Sequence, residues 1–436
     1  ASSQNIHSTA AHPHFLSDGS YVPQSAWLDN TGLSISVNKD IEGNLRNPET
    51  PDPGCIEFVS PPHASPPIHG IKTIGIGGDY SSLNEAFSDL FLRGISDSVH
   101  LQLITGIHNE QSLIKPIPGA SADNPIIIES QSSDSADVAI QFFAPDRLHN
   151  YVFNLFGASH LKFRNLTIKA LNPSFATLFR FTGQNDSLEF MDNNFIGVPR
   201  DGASSEQILF YSSELYFKEM RILNNQFNYG TYVICFNNSD AKYNPELLLL
   251  NNNYVKASGY NFLLASGLHG LEAKNNRVTT NGIGIRASKI DRYLKIEGNI
   301  FELNKLGGLQ LISATLPPEN PGLIFNNIMF SNEEMLSTDM ITMNQCENID
   351  FCHNTIKAST ESYGRAILYL VNGSNLKIKN NILVNHGDQR CYHVTNGAAV
   401  SESDYNNIFT YGTNLATWDG TGCASLSELQ AESGLD

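Results

Sequence analysis

An eight-residue phrase recurs along this chain and limits the fold more than any other feature. Its clearest copy is LKIKNNIL, Leu376 to Leu383: apolar and polar residues alternate, two asparagines follow, then apolar residues return. The pattern repeats at 188–195 (LEFMDNNF), 220–227 (MRILNNQF), 247–254 (LLLLNNNY), 271–278 (LEAKNNRV), 294–301 (LKIEGNIF), 322–329 (GLIFNNIM), 349–356 (IDFCHNTI) and 402–409 (ESDYNNIF). A degenerate copy, LKFRNLTI at 161–168, opens the series. Taking the second Asn as marker gives Asn193, Asn225, Asn252, Asn276, Asn299, Asn327, Asn354, Asn381 and Asn407, separated by 23 to 32 residues.

A repeat of this length is the signature of a solenoid whose every turn is one supersecondary unit. Alternation at period two puts Leu376 and Ile378 on one side of a strand and Lys377 and Lys379 on the other. Asn enters the left-handed region more readily than other non-glycine residues, so an Asn at each bend allows a sharp turn. Stacked every ~4.8 Å, such side chains can bond from coil to coil as a ladder. The pattern predicts an all-β, right-handed parallel β-helix resembling pectate lyases, of roughly 12–13 coils between about residues 72 and 420.

The 436 residues suffice for one long solenoid without division into globular domains. Only 16% are charged, and the net charge of −17 argues against nucleic acid, whose phosphates it would repel. It leaves room for calcium, although no cofactor is called for. No run of 18 apolar residues is present, so no helical membrane insertion is expected. Cys55, Cys235, Cys346, Cys352, Cys391 and Cys423 follow no zinc spacing and read as buried or isolated thiols. A late disulfide, Cys391 with Cys423, is the alternative.

Residues 1–60 lack the phrase and read as short strands and turns; a proline-rich linker, 61–71, follows. In the solenoid unit, 72–436, a capping helix is expected over about 82–94, with Ser82 and Glu85 at capping-box spacing and Gly94 as its stop. Leu83, Phe87, Leu90 and Phe91 would close the first coil, which otherwise exposes its core and an unpaired edge. The C-terminal SLSELQAESGLD reads as a short helix.

Several segments resemble right-handed parallel β-helix modules of large Bacteroidetes cell-surface proteins, adhesin-like and exported by type 9 secretion. Those modules open on DY-x-x-L-x-x-A, G-x-Y-x-E and G-A-S-x-x-N-P-I. Here Asp79, Tyr80, Leu83 and Ala86 match the first, Gly106 and Glu110 the second (with His108 in the Tyr place), and Gly119 to Pro125 the third. Residues 12–58, with HPHF, SAWLDNTG, DIEGNLR and PDPGCIEF, resemble the closing segment of a preceding module. The resemblance implies a unit of a tandem array, its end leading into the start of the next copy about 430 residues on; a self-contained protein with an N-terminal appendix is the alternative. It further implies an extracellular, cell-surface setting, adhesion or gliding, and as partners extracellular glycans or surfaces, neighbouring modules and the secretion machinery.

A polysaccharide lyase or glycoside hydrolase is the competing class. A hydrolase needs two carboxylates flanking one bond, and a lyase a base beside a cation. The position before each Asn pair reads Arg164, Met191, Leu223, Leu250, Lys274, Glu297, Phe325, Cys352, Lys379 and Tyr405, with no adjacent pair of carboxylates. The polar clusters outside the phrase are Asp388, Arg390 and His393; Lys289, Asp291 and Arg292; and Arg200, Asp201 and Glu206. The first, with Glu361 and Arg365 one coil earlier, holds the best catalytic candidates, and each cluster also reads as a solvated loop. The expectation is a non-catalytic structural or adhesive module.

Overall fold

The computed structural model describes residues 13, 15, 20–25, 28–59, 66–199, 204–237, 244–331, 338–358 and 366–435. Each coil gives one strand to each of three faces. Face A precedes the Asn turn, face B follows it, and face C returns the chain to the next coil. Leu188–Met191, Asn194–Ile196 and Ile208–Ser212 are one such set. Face B is a sheet of twelve strands, from Gly106–Asn109 to Asn407–Thr410, all parallel. Faces A and C merge into one sheet because Ile341–Cys352 and Ala366–Lys379 run through the corner unbroken. Twelve coils at ~4.8 Å rise roughly 55 Å. The right-handed parallel β-helix is therefore the fold, with its first strand, Ile68–Ile74, beginning inside the proline-rich stretch.

Alternation works as the phrase implies. Leu376 and Ile378 are buried, while Lys377 and Lys379 point outward to Glu402. Inward phenylalanines stack along the axis: Phe163 lies over Phe190 with centroids 5.3 Å apart, and Phe153 over Phe179 at 5.2 Å.

The Asn turn divides two tasks between two positions. The first residue turns the chain at positive φ: Asp192, Asn224, Asn252, Asn275, Gly298, Asn326, His353, Asn380 and Tyr405. The second carries the ladder: Asn193, Asn225, Asn253, Asn276, Asn299, Asn327, Asn354 and Asn381, all buried, and the half-buried Asn406 at its end. From Asn225 onward each Oδ1 accepts from the backbone N–H and the Nδ2 of the Asn one coil before. Each Nδ2 also donates to a carbonyl of that earlier coil, as Asn276 does to Leu250 at 2.6 Å. Two markers therefore need correction. Asn252 is a turn residue and its ladder partner is Asn253; Asn407 opens an exposed face B strand and Asn406 holds the ladder. The same one-residue slip puts Leu250 in the core and makes Asn251 and Asp404 the outward residues. The ladder stops at Leu166, whose N–H donates to Asn193 but which has no amide to extend it.

Helix α1, Leu83–Arg93, closes the N-terminal end with Leu83, Ala86, Phe87 and Leu90 buried in the solenoid core. Ser82 Oγ accepts from Glu85 N–H, but Glu85 bonds Ser81, and Glu110 from the next coil accepts from Leu83 and Asn84 N–H (each 3.2 Å). Phe91 is only half-buried, under Lys115 Nζ at 5.4 Å, so it does not plug the core as expected. At the other end, an antiparallel hairpin (Ala416–Trp418 with Thr421–Cys423) and helix α2, Leu426–Ser433, bury Trp418, Cys423 and Leu429.

All six cysteines are free thiols. Cys391 Sγ donates to the Phe409 carbonyl at 2.9 Å, and the Cys391–Cys423 disulfide does not form. Residues 28–59 are held by carboxylates on backbone amides. Asp40 accepts from Glu42, Asn44 and Glu57 N–H, and Asp52 from Asn30 and Phe58 N–H, both at 2.6 Å. Ile56 and Phe58 are buried outside the solenoid's core cluster.

Candidate functional site

Because strands pair in register, every outward position forms a column parallel to the axis. On face C one column runs Asn154, Arg180, Tyr211, Cys235, Leu264, Arg286, Gln310, Thr342, Tyr369, His393 and Thr417. It mixes arginines, aromatic rings, amides and hydroxyls, and carries no carboxylate. Tyr369 and His393 stack with centroids 4.6 Å apart.

Face A carries charge of both signs. One column runs Lys162, Glu189, Arg221, Leu249, Glu272, Lys295, Leu323, Asp350, Lys377 and Glu402. Two of its four carboxylates, Glu189 and Glu402, are tied to cations on the neighbouring coil. Arg164 holds Glu189 at 2.6 Å, Lys295 and Lys274 hold Glu297 of the adjacent column at 2.9 and 3.3 Å, and Lys377 and Lys379 hold Glu402. Hydrogen bonds from Lys379 and Lys377 keep the Glu402 carboxyl below the usual carboxylate range, and those from Lys295 and Lys274 do so for Glu297. Glu272 accepts from the Tyr293 hydroxyl, whose pKa is pushed up to about 12 by burial and then by this bond. Fixed carboxylates of this kind serve sheet electrostatics and are poorly suited to proton transfer.

The predicted candidates are spread among different neighbours. Arg390 and His393 lie on the strand Arg390–Val394 and Asp388 in the loop before it. Arg390 Nη1 donates to Thr417 Oγ1 at 2.5 Å, His393 stacks on Tyr369, and Asp388 accepts from Gln389. Asp291 contacts His269 Nδ1 at 2.6 Å, at a corner where Lys289 takes positive φ. Glu206 pairs with Arg147 at 3.0 Å and accepts from Asn150. Arg200, Asp201, Glu361 and Arg365 lie outside the described residues. Among the described residues no three His, Cys, Asp or Glu side chains are grouped to hold a metal ion, and no helix is long and apolar enough to cross a membrane.

One concave site was missed from sequence. A recess of about 160 Å³ opens where face C turns into face A, lined by His160, Lys162, Glu189, Glu219 and Arg221, with Ser121 and Ser187 at its rim. Lys162, Glu189 and Arg221 hold the second position, not the fourth, of three successive phrase copies. That column signals the site in the sequence once the copies are aligned.

No protein-family model and no curated protein matches the chain. Among solved structures it is similar to pectin methylesterase from Aspergillus niger in deglycosylated form, at 11% identity, TM-score 0.21, over 85% of this chain and 97% of that one. The penultimately deglycosylated form of that protein gives 11%, 0.21, 84% and 94%. A TM-score this low carries nothing about the reaction; the fold assignment rests on the strand pairing.

Proposed function

We propose that the chain is a non-catalytic, adhesive β-helix unit of a very long cell-surface protein, giving reach and presenting repeated weak contacts to extracellular glycans. The observation that supports this best is the face C column. Arginines, aromatic rings, amides and hydroxyls repeat there at ~4.8 Å steps. Such groups offer hydrogen bonds and ring faces to neutral or acidic sugars, but no carboxylate pair to cleave them. Weak sites repeated along tandem units add through effective concentration, so the unit needs no tight pocket. Neighbouring copies of the same unit are the proposed partners at either end.

The test is an array of plant, algal and animal glycans probed with the chain as a monomer and displayed multivalently on beads. Retention that rises steeply with valency, and falls in Arg180→Ala, Arg286→Ala and Tyr369→Ala variants that keep their circular dichroism, is the expected result. Retention by neither form would remove the adhesive reading, and breakdown of an arrayed glycan would favour a lyase or hydrolase.

A further inference from the structure

The recess at the face C to face A corner has a charge balance that selects its ligand. Two of its carboxylates are neutralised within the fold: Arg164 holds Glu189 through Nε and Nη2 (2.9 and 2.6 Å), and Arg221 Nε holds Glu219. Lys162 stands in register between Ile127 and Glu189 and forms no ion pair among the described residues. The recess therefore keeps one uncompensated positive charge in a chain of net charge −17.

His160 adds a second feature. Its backbone sits at φ 59°, and its Nδ1 is shielded from solvent with no hydrogen-bond partner. Burial lowers its pKa, against an opposing pull from Asp186, so the ring is neutral at pH 7. In either neutral tautomer Nδ1 is a buried polar atom without a partner. Serine hydroxyls and the second oxygens of both glutamates complete a rim able to donate to and accept from hydroxyl groups. About 160 Å³ is well under the roughly 300–1,000 Å³ of a drug-sized pocket, so it admits one ring and not a chain.

We infer that this recess binds a single acidic monosaccharide, its carboxylate on Lys162 and its hydroxyls on Glu189, Glu219 and the serine rim. The inference rests on the glycan-contact reading and gives it a ligand class and a place away from the face C column. A neutral sugar would leave Lys162 unpaired, and a bare carboxylate would leave the rim unused.

The experiment is titration of the full chain at low salt with sodium D-glucuronate, methyl glucoside, acetate and a glucuronate-terminated oligosaccharide, followed by NMR and calorimetry. Glucuronate should bind at least about tenfold more tightly than methyl glucoside or acetate. K162M should remove that preference, and His160→Asn, which tolerates the same positive φ, should weaken it; K377M, on distant coils, should leave it intact. The glucuronate-terminated oligosaccharide binding as well as the free sugar would identify a terminal residue as the natural source, and its failure to bind the free acid. Equal binding of glucuronate and methyl glucoside, acetate matching glucuronate, or K162M behaving as wild type would each overturn the inference. If the chain still holds other glycans on the array, only the ligand class fails; if it holds none, the adhesive reading fails with it.

Discussion

Asn253 donates from its backbone N–H to Oδ1 of Asn276, one coil further on, at 3.0 Å, and its Nδ2 reaches the same oxygen at 3.0 Å. One amide thus binds two coils through both its main chain and its side chain, and the pattern repeats from Asn193 to Asn406. Truncating Asn276 would take the acceptor from the backbone N–H of Asn253 and from one of its two Nδ2 hydrogens (the other stays on the Ile222 carbonyl), and would remove the Nδ2 donor to the Leu250 carbonyl, all of them buried. At about 1–3 kcal/mol per unsatisfied group, Asn276→Ala should cost at least about 3 kcal/mol in urea unfolding. Asn407→Ala, on an exposed position, should stay within about 0.5 kcal/mol. Asn407→Ala costing more than Asn406→Ala would show the ladder register to be wrong.

The cap makes a second contrast. Phe87 is 5% exposed in the core, whereas Phe91 lies half-buried beneath Lys115. Phe87→Ala should cost about 3–5 kcal/mol and Phe91→Ala clearly less. Equal losses would mean that α1 lies on the surface as a whole.

Thiol chemistry follows burial. Cys55 is exposed, while burial pushes the Cys391 thiol up to about 12 and Cys235 and Cys346 to about 11. Only the thiolate reacts, so an aromatic disulfide reagent at pH 8 should label Cys55 at once and these three only on unfolding. Prompt labelling of Cys391 in the native protein would contradict the packing at the C-terminal coils.

Glu402 links charge to pH. Its pKa is lowered in the folded state by Lys379 and Lys377, so its contribution to stability is present above the ordinary value of 4.5 and is lost as pH falls through the lowered one. NMR titration should place the Glu402 carboxyl below 4.5 and return it there in the K377M/K379M double variant. An unchanged midpoint in that variant would show that the lysines do not hold it.

The fold was legible because alternation and paired asparagines are local signals repeated in every coil. Register was less legible where three asparagines run together, since Asn251, Asn252 and Asn253 offer three candidates and only stacking against Asn225 and Asn276 selects the third. In ESDYNNIF the slip has another cause: Tyr405, not an Asn, takes the positive-φ turn position, so the first Asn of the pair holds the ladder. The role of Glu110 at α1 depends on the following coil, which no pattern within the helix reveals. The recess was hidden for a similar reason. His160, Glu189 and Arg221 are far apart in sequence and become neighbours only through the coil period.

The central claim, binding without turnover, is tested most directly by incubating the chain with pectin, alginate, chondroitin and agar, with and without Ca²⁺. Bound polymer and reaction products are then measured in the same tubes. The account predicts retained polymer with no new reducing ends and no unsaturated-uronate absorbance. Products that accumulate with time and disappear in Arg390→Ala or His393→Ala would contradict it.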